Sequence, residues 1–591
     1  MLLTIGEKMK KFIQKYFNTA YKLFQSQAMK NIFDSKCFVF AFSGVLGAIF
    51  FIHIYGIRVL NPMYTDWLMV GGDTTQHYLG FEFFRNSEWS FPIGLTEGII
   101  YPYKESIMFS DSIPLFAIFF KTISFLLPDN FQYFGWFGIL MYILQGGFGG
   151  LIIKKITNNT TISGIASLFF TMSSMMMLRM YNHTSLAAHF IILIAIYVCI
   201  SKDKNKNIYH NIIIWGGLLS LAATIHMYFV PMVFIFMMLY FIDDIFEYRK
   251  WAKPVIELSA STALCLMTMF IIGAFYSGTS KSAGDGIRMF STNINSIFNP
   301  NGESIFLKNL PISPGAEAGT AYIGYGMIIM IFIALFAFAD NFKTYRKKIS
   351  DKVVLRRVIL GVIAFFIFYL LALGPNISLN DNLLIAYKLP KFIERIWNIF
   401  RATERFVWPS IYIIMVLAIY ITAKKYRKIT TVVIMSVLVL VQFQDVHDSF
   451  RSQGKYFRKQ QTYETNLKSD MWNVIASDYK HLFLFSEPHE NLSLYYALAK
   501  FAVNNGLTIN DFYLARKPYK KINPLKEKTL ENLNNGHADH DTVYLYKDVP
   551  EQLILDKTLF VYEFDGIIAG FTKEIKNAKQ INGVVRIIPK K

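Results

Sequence analysis

The chain has 591 residues, of which 53% are hydrophobic and 17% charged, and its formal net charge at pH 7 is +19. Soluble proteins carry about 25% charged residues, so this composition excludes an ordinary soluble enzyme and predicts a polytopic membrane protein. Positive charge lies mainly in short loops between apolar runs, where it indicates membrane topology and not nucleic-acid binding. The cysteines Cys37, Cys199 and Cys265 all lie in apolar segments, which excludes a disulfide framework and a cysteine-based metal site.

Residues 1–36 carry seven lysines, and apolar residues recur among them at helical spacing. This pattern predicts a basic amphipathic helix on the cytoplasmic face and no cleavable signal peptide. A flexible basic tail is the alternative.

Eleven apolar segments between 37 and 444 are candidate membrane spans. They are 37–57, 131–153, 161–178, 186–200, 208–225, 227–242, 254–276, 321–338, 356–373, 406–423 and 428–444. The apolar run 113–127 is short and contains Pro114. If this run does not cross the membrane, all strongly basic loops lie on the same side of the membrane as the lysine-rich N-terminus. The positive-inside rule therefore predicts a re-entrant or interfacial helix at 113–127, eleven crossings, a cytoplasmic N-terminus and an external C-terminus.

The same parity places five polar features on the outer side: the loops 58–112, 179–185, 277–320 and 374–405, and the segment 445–591. The last of these contains no span-length apolar run. Its patterns predict helices and strands of a small extracytoplasmic α/β domain, at Trp472–Ala476, His481–Ser486, Leu492–Val503, Thr542–Tyr546 and Leu559–Phe564.

The loop 58–112 has seven acidic and three basic residues, a net charge of −4 in a basic protein. Asp73 follows Gly71 and Gly72, which allow unusual backbone dihedrals and close approach of another group. A carboxylate held there could accept a proton from a sugar hydroxyl or bind a divalent cation. A Gly-Gly-Asp turn that only shapes the loop is equally compatible with the sequence.

Asp111 lies where the chain returns to the apolar phase, in Ser110–Asp111–Ser112–Ile113–Pro114. An acidic residue before a proline-containing first turn is a good helix N-cap, so the sequence predicts that role. A capping carboxylate can also direct one oxygen toward a site.

Three ionisable residues lie next to apolar segments on the predicted outer side, namely Arg179, His183 and His226. Charged groups at membrane depth are costly and are therefore candidates for function. The alternative is that they only cap helices or extend toward water.

Arg401 and Arg405 lie in an external loop that is unusually basic, with Glu404 between them. A spacing of four places both guanidinium groups on one face of a helix. Arginine binds phosphate with two parallel hydrogen bonds, so a lipid phosphate group would explain this charge. An Arg–Glu salt-bridge cluster is the alternative.

These features resemble the GT-C superfamily, integral membrane glycosyltransferases that use polyprenyl-phosphate-linked sugars. The closer resemblance is to an uncharacterised family of bacterial multispan proteins near that group. The similar segments are G-G-D-T-T-Q-H-Y-L-G (71–80), F-F-R (83–85), W-S-F-P-I-G (89–94), Y-P (101–102), S-D-S-I-P (110–114), F-Q-Y-F-G (131–135), L-Q-G (144–146) and R-A-T-E-R-F-V-W-P (401–409). The resemblance implies a GT-C-like membrane domain in a bacterial plasma membrane.

The resemblance further implies that Asp73 is the general base or a metal ligand, and that Asp111 is a second acidic member. Arg401 and Arg405 would stabilise the leaving phosphate during an inverting transfer to an envelope glycan, lipid or protein. Thr74 follows Asp73 where some members have two adjacent carboxylates, so Mg²⁺ or Mn²⁺ dependence and a metal-free mechanism both stay open. A transporter or flippase of a lipid-linked intermediate, or a non-catalytic assembly partner, are the alternative functions.

Overall fold

The computed structural model describes residues 31–202, 207–276, 290–313, 321–397, 399–487, 490–546, 559–576, 578, 581 and 583–587. The chain is mostly helical, at 63%. The N-terminal amphipathic helix that the sequence predicts lies outside the described residues, except for its last few positions. The two ends of the predicted loop 277–320, residues 277–289 and 314–320, also lie outside the described residues.

The first half of the chain alternates long apolar helices with shorter elements. In chain order these are α1 (Lys36–Tyr55), α2 (Gly72–Asn86), β1 (Leu95–Ile100), β2 (Tyr103–Ser106), α3 (Pro114–Thr122), α4 (Phe134–Thr157), α5 (Thr160–Thr171), α6 (Ser174–Arg179), α7 (Phe190–Ile200), α8 (Ile208–Ile225), α9 (Phe229–Tyr248) and α10 (Ala252–Ile271). The predicted external loop 58–112 is therefore an ordered unit that contains a helix and the antiparallel hairpin β1–β2.

The second half of the membrane region begins with two helices that meet at an angle of 77°. Its elements are α11 (Tyr325–Asp340), α12 (Phe342–Ile349), α13 (Lys352–Leu373), β3 (Asn376–Leu379), β4 (Asn382–Ala386), α14 (Lys391–Trp397), α15 (Val407–Lys425), α16 (Lys428–Gln453) and α17 (Lys455–Arg458). The last long helix, α16, runs through the predicted domain boundary at 445. Within it, the Asp445 carboxylate accepts hydrogen bonds from the Tyr322 hydroxyl and the Tyr325 backbone amide.

Among the described residues, eight helices are long and apolar enough to span a membrane, or up to nine if α11 and α12 form one bent span. The chain is thus a multipass membrane protein, but the helices do not give the predicted count of eleven. The predicted span 161–178 covers α5 and most of α6, and 186–200 includes α7; α5 and α7 have 12 and 11 residues. A helix of 12 residues rises only about 18 Å, compared with about 30 Å of hydrocarbon.

The short apolar run 113–127 forms the nine-residue helix α3 and a single 3₁₀ turn at Ser124–Leu126. Nine residues rise about 14 Å, too little to cross a bilayer. Phe125 and Leu126 are 81% and 71% exposed. This length agrees with the prediction that the run 113–127 does not cross the membrane.

Small residues bring α1 and α4 into close contact. A Cβ atom on Gly47 would lie 2.2 Å from the Tyr142 carbonyl oxygen, and one on Gly146 would lie 2.3 Å from the Ser43 carbonyl oxygen. Close approach through small residues is a general way to pack helices in lipid, where dispersion contacts hold helices together. The two glycines therefore fix the separation of α1 and α4.

The C-terminal segment forms the small sheet domain that the sequence predicts. Its elements are α18 (Met471–Asp478), β5 (His481–Leu484), α19 (Leu492–Asn504), β6 (Thr508–Ile509), α20 (Tyr519–Asn534), β7 (Thr542–Tyr546), β8 (Phe560–Phe564), β9 (Ile567–Phe571) and β10 (Val585–Ile587). The strand order is β10-β8-β9-β7-β5-β6, and β5 runs parallel to both β6 and β7. Apolar periodicity thus located both helices and all three strands predicted here.

The sheet domain packs directly on the 58–112 region. The Tyr101 amide donates to the Ile509 carbonyl at 2.9 Å, and the Ala515 amide donates to the Phe109 carbonyl at 2.8 Å. These contacts join the 58–112 region to the C-terminal domain.

Candidate functional site

Asp73 lies in the first turn of α2, directly after two glycines with positive φ, Gly71 at 94° and Gly72 at 61°. L-residues rarely adopt these angles, so glycine is required for the chain to enter the helix in this direction. The Gly71 amide donates to the Thr75 hydroxyl at 2.8 Å, which closes the turn. The Asp73 carboxylate therefore lies at a helix N-terminus, where the helix dipole favours a negative charge.

His183 is the partner of Asp73. Its Nδ1 atom lies 2.6 Å from Asp73 Oδ2, and the two side chains are 34% and 27% exposed. His183 follows α6, where its amide donates to the Arg179 carbonyl at 3.0 Å. The Thr74 hydroxyl also donates to the Tyr181 carbonyl, which joins α2 to this turn. Both members of the pair are thus held by backbone contacts and are still accessible to a substrate.

The environment makes Asp73 an ionised group and His183 a neutral one. Burial by itself would raise the pKa of Asp73, but the hydrogen bond from His183 and the positive charge of Arg405 hold it below the usual value. Burial lowers the pKa of His183, and Arg405 lowers it further, against the effect of Asp73. A neutral His183 donates its Nδ1 proton to Asp73 and keeps Nε2 as an acceptor.

Asp111 is not the helix N-cap that the sequence predicts. Its backbone is left-handed, with φ at 54°, and it ends the 3₁₀ turn Ile107–Ser110. Ile113 holds the N-cap position of α3. Two residues therefore separate Asp111 from the helix, and its carboxylate faces His226 instead, with Asp111 Oδ1 3.6 Å from His226 Nε2.

The pKa of the Asp111 carboxyl group is shifted in the opposite direction to that of Asp73. Burial, followed by the charge of Asp73, raises the pKa of Asp111 to about 7. Burial also lowers the pKa of His226 well below its usual value, and Arg405 adds to that effect. The site thus pairs an ionised carboxylate with one that is half-protonated near neutral pH, an arrangement typical of acid–base chemistry.

Arg401 and Arg405 do not share a helix face, in contrast to the prediction. Only Arg405 lies in the 3₁₀ turn Thr403–Phe406, and the chain at Arg401 is not helical. Arg405 lies over the Tyr228 ring at 4.4 Å, whereas Arg401 lies over the Phe290 ring at 5.3 Å. Aromatic stacking thus orients each guanidinium group separately.

Buried Glu404 lies between two arginines. Its Oε1 atom is 3.5 Å from Arg179 Nη2 and 3.6 Å from Arg405 Nε. The salt-bridge cluster that the sequence left open is therefore present. One carboxylate does not neutralise two guanidinium groups, so the cluster keeps a net positive charge.

Arg405 connects the two halves of the site. Its charge affects the ionisation of four of the predicted residues, Asp73, Asp111, His183 and His226. Arg179 is in turn affected by Arg405 and Asp73. The structure therefore brings six of the seven predicted residues into one electrostatic cluster, with Arg401 at its edge.

Residues 44–447 match a family model described as Domain of unknown function (DUF6311), and residues 471–572 match the DUF6311 C-terminal domain. The chain belongs to the DUF6311 family. No curated protein matches the chain. The six clustered residues all lie in the larger DUF6311 region, so they belong to the part of the chain that defines the family.

Two tyrosines of the DUF6311 C-terminal domain complete the site, and nothing in the sequence pointed to them. The Tyr496 hydroxyl donates to the Gly72 carbonyl at 2.9 Å. Burial, followed by the Asp73 charge, raises the pKa of Tyr513, whose ionisation also responds to Arg401. The C-terminal domain thus covers the Asp73 side of the site.

His77 lies one helical turn after Asp73 and is fully buried. Neither of its ring nitrogens has a hydrogen-bond partner among the described residues. Burial lowers its pKa to about 4, so the ring is neutral. The four-residue spacing from Asp73 on one helix is the sequence signal that identifies this residue.

The described side chains do not form a preassembled metal-binding cluster. Across the part of the chain that the structure describes, no group of three or more His, Cys, Asp and Glu side chains could hold an ion. Asp73 and Asp111, the carboxylates considered for Mg²⁺ or Mn²⁺, each face a histidine. The chemistry derived below therefore uses only the side chains of the protein.

Proposed function

We propose that this protein is a membrane glycosyltransferase that moves a sugar from a polyprenyl-phosphate-linked donor to a hydroxyl group of a cell-envelope acceptor. One observation carries this function: an accessible ionised carboxylate, Asp73, lies within electrostatic reach of Arg405. Activation of a hydroxyl and stabilisation of a departing phosphate are the two requirements of such a transfer. The resemblance to the GT-C superfamily supports the same function.

On the acceptor side, Asp73 takes the proton of the attacking hydroxyl as its oxygen bonds to the anomeric carbon. His183 donates to Asp73 and so fixes the orientation of the carboxylate. A positioned base typically contributes about 10²- to 10⁴-fold to a rate. Direct attack by the acceptor in one step inverts the configuration at the anomeric carbon.

On the donor side, the bond between the anomeric carbon and the phosphate oxygen breaks, and both bonding electrons leave with the phosphate. Arg405 and Arg401 stabilise the charge that develops on that oxygen. Arg179 adds positive charge behind Glu404. Protonated Asp111 donates a hydrogen bond to the phosphate, whereas its ionised form would repel it.

In this function, residues 37–444 form a GT-C-like domain in a bacterial plasma membrane, with the N-terminus in the cytoplasm. The site and the domain formed by residues 445–591 then face outward. The donor reaches the site from the lipid, and the acceptor is an envelope glycan, lipid or protein.

Transfer is tested with purified protein in vesicles that contain radiolabelled polyprenyl-phosphate-linked sugars extracted from bacterial membranes. The measured quantity is polyprenyl phosphate released together with labelled acceptor. We expect Asp73→Asn to lower this rate at least about 100-fold. The matched control is Glu88→Gln, an exposed acidic residue of the same region, which should transfer at the wild-type rate.

Unchanged transfer by Asp73→Asn would exclude Asp73 as the base. If donor crosses the vesicle membrane equally well in both proteins and no sugar is transferred, the protein is a flippase. If neither movement nor transfer depends on the protein, it has a non-catalytic role.

A further inference from the structure

Strand β4 exposes apolar side chains on both of its faces. All five of its residues are exposed, and the consecutive residues Leu383, Leu384 and Ile385 are 58%, 53% and 54% exposed. Because successive strand residues point to opposite faces, neither face of β4 is covered by the part of the chain that the structure describes. In water, an exposed apolar edge strand is an aggregation hazard, so an apolar environment is expected around β4.

The hairpin β3–β4 continues a lipid-facing helix. Only 11% of the most apolar window of α13 is buried, and Phe366 and Leu370 near its end are about half exposed. Strand β3 begins at Asn376, directly after α13 ends at Leu373. The hairpin therefore lies where α13 leaves the apolar layer of the membrane.

The hairpin has a defined position and is not a loose loop. The Asn293 side-chain amide donates to the Asn380 carbonyl at 2.7 Å, and the Asn295 side-chain amide donates to Asn380 Oδ1 at 2.8 Å. The Tyr387 amide also donates to the Pro375 carbonyl at 3.1 Å. The bonds to Asn380 fix the turn between β3 and β4 to the protein, and the Tyr387 bond closes the base of the hairpin, so β4 has a defined position.

Positive charge follows the apolar strand immediately. Lys388, Lys391 and Arg395 are exposed, and Glu394 is the only acidic residue between 382 and 397. Phe392 on the short helix α14 is 67% exposed. Apolar side chains next to cations are the pattern of a segment that lies in the interface of an anionic bilayer.

We propose that β4 and α14 form a bilayer-binding surface. The side chains of Leu383, Leu384 and Ile385 insert among the acyl chains, and Lys388, Lys391 and Arg395 bind the phosphates of anionic phospholipids. This surface explains why an outer loop carries the positive charge that the positive-inside rule disfavours. It holds whether or not the Asp73 site transfers sugar.

Insertion is tested on full-length protein in nanodiscs, with the native cysteines Cys37, Cys199 and Cys265 replaced by serine. An environment-sensitive fluorophore is attached to Leu384→Cys and quenched by lipids that carry a spin label on the acyl chain. Val362→Cys, which is 50% exposed on α13, is the lipid control, and Val585→Cys, which is 60% exposed on β10, is the water control. We expect quenching at 384 to match that at 362. Quenching no stronger than at 585 would overturn the proposal.

The phosphate contacts are tested with anionic and zwitterionic head-group-labelled phospholipids in the same nanodiscs. The wild-type hairpin should be quenched more strongly by the anionic lipid. The triple variant Lys388→Gln, Lys391→Gln, Arg395→Gln should lose this preference, by about fivefold for each charge removed. Lys528→Gln, an exposed lysine of α20, is the matched control and should keep it. An unchanged preference in the triple variant would refute the head-group contacts independently of any sugar transfer.

Discussion

The Nδ1 atom of His183 lies 2.6 Å from the Oδ2 atom of Asp73, although 110 positions separate the two residues in the sequence (183 − 73). The contact joins the start of α2 to the turn after α6. It leaves the other ring nitrogen of a neutral His183 as an acceptor. The hydrogen bond from His183 fixes the orientation of the Asp73 carboxylate.

If Asp73 and His183 act as one unit, their substitutions will not be additive. We expect Asp73→Asn and His183→Gln each to lower kcat at least about 100-fold, and the double variant to be no slower than the worse single variant. The measurement is a double-mutant cycle on the transfer rate. Effects that multiply would show that the two side chains act independently.

Asp111 should make the transfer rate depend on pH near neutrality. Because its pKa is raised to about 7, the carboxyl group is protonated below that pH and ionised above it. We expect the rate to fall as the pH rises through about 7, since an ionised Asp111 repels the donor phosphate. In the Asp111→Asn variant, the transfer rate should no longer fall as the pH rises. If the rate still falls, another group causes the pH dependence.

The same carboxyl group should affect stability, with a defined sign. The pKa of Asp111 is higher in the folded protein than its usual 3.8, so the folded state binds the proton more tightly than the unfolded state. The contribution of Asp111 to stability therefore falls as the pH rises from about 4 to about 7. Thermal unfolding should show that Asp111→Asn is more stable than wild type at about pH 8, with little difference at about pH 4. Equal differences at both pH values would contradict this sign.

Arg405 should contribute to binding of the lipid donor. Lysine keeps the positive charge but loses both the planar fork and the stacking on Tyr228. We expect Arg405→Lys to raise KM for the donor about tenfold or more. Arg346→Lys, an exposed arginine of α12, is the control. A KM that does not change would contradict a role of the Arg405 guanidinium group in donor binding.

The close packing of α1 against α4 should contribute to the stability of the protein. A methyl group at Gly47 would lie 2.2 Å from the Tyr142 carbonyl oxygen, so the helices must move apart. We expect Gly47→Ala to lower the free energy of unfolding by about 1–3 kcal/mol in thermal or denaturant unfolding. At Gly217 on α8 a Cβ atom would meet nothing within 4 Å. Gly217→Ala should therefore be neutral, and equal effects at both sites would exclude helix separation as the cause.

Several elements were predictable because they depend on local pattern. Apolar length located the eight long candidate spans, and period-two and helical spacing located the elements of the C-terminal sheet domain. The same reasoning predicted spans at 161–178 and 186–200, where the apolar helices have fewer than 18 residues. Hydropathy measures whether a segment avoids water, and a short helix buried among other helices meets that condition without crossing the bilayer.

In the region between residues 58 and 112, the sequence likewise predicted some features of the candidate site and missed others. Its charge and its glycines were sufficient to single out Asp73 and Asp111. They did not show that Asp73 faces His183 or that Asp111 faces His226 and fails to cap α3. The contribution of Tyr496 was equally inaccessible, because an isolated tyrosine in the C-terminal sheet domain carries no pattern.

By itself, the sequence determined a multipass helical membrane protein, a C-terminal sheet domain and a short set of ionisable residues. These follow from hydropathy, periodicity and charge, which are properties of neighbouring residues. Only the tertiary structure decided which of those residues meet and which carboxyl group is protonated near neutral pH. Pairing and pKa depend on distance and burial, and both arise when segments far apart in the chain pack against one another.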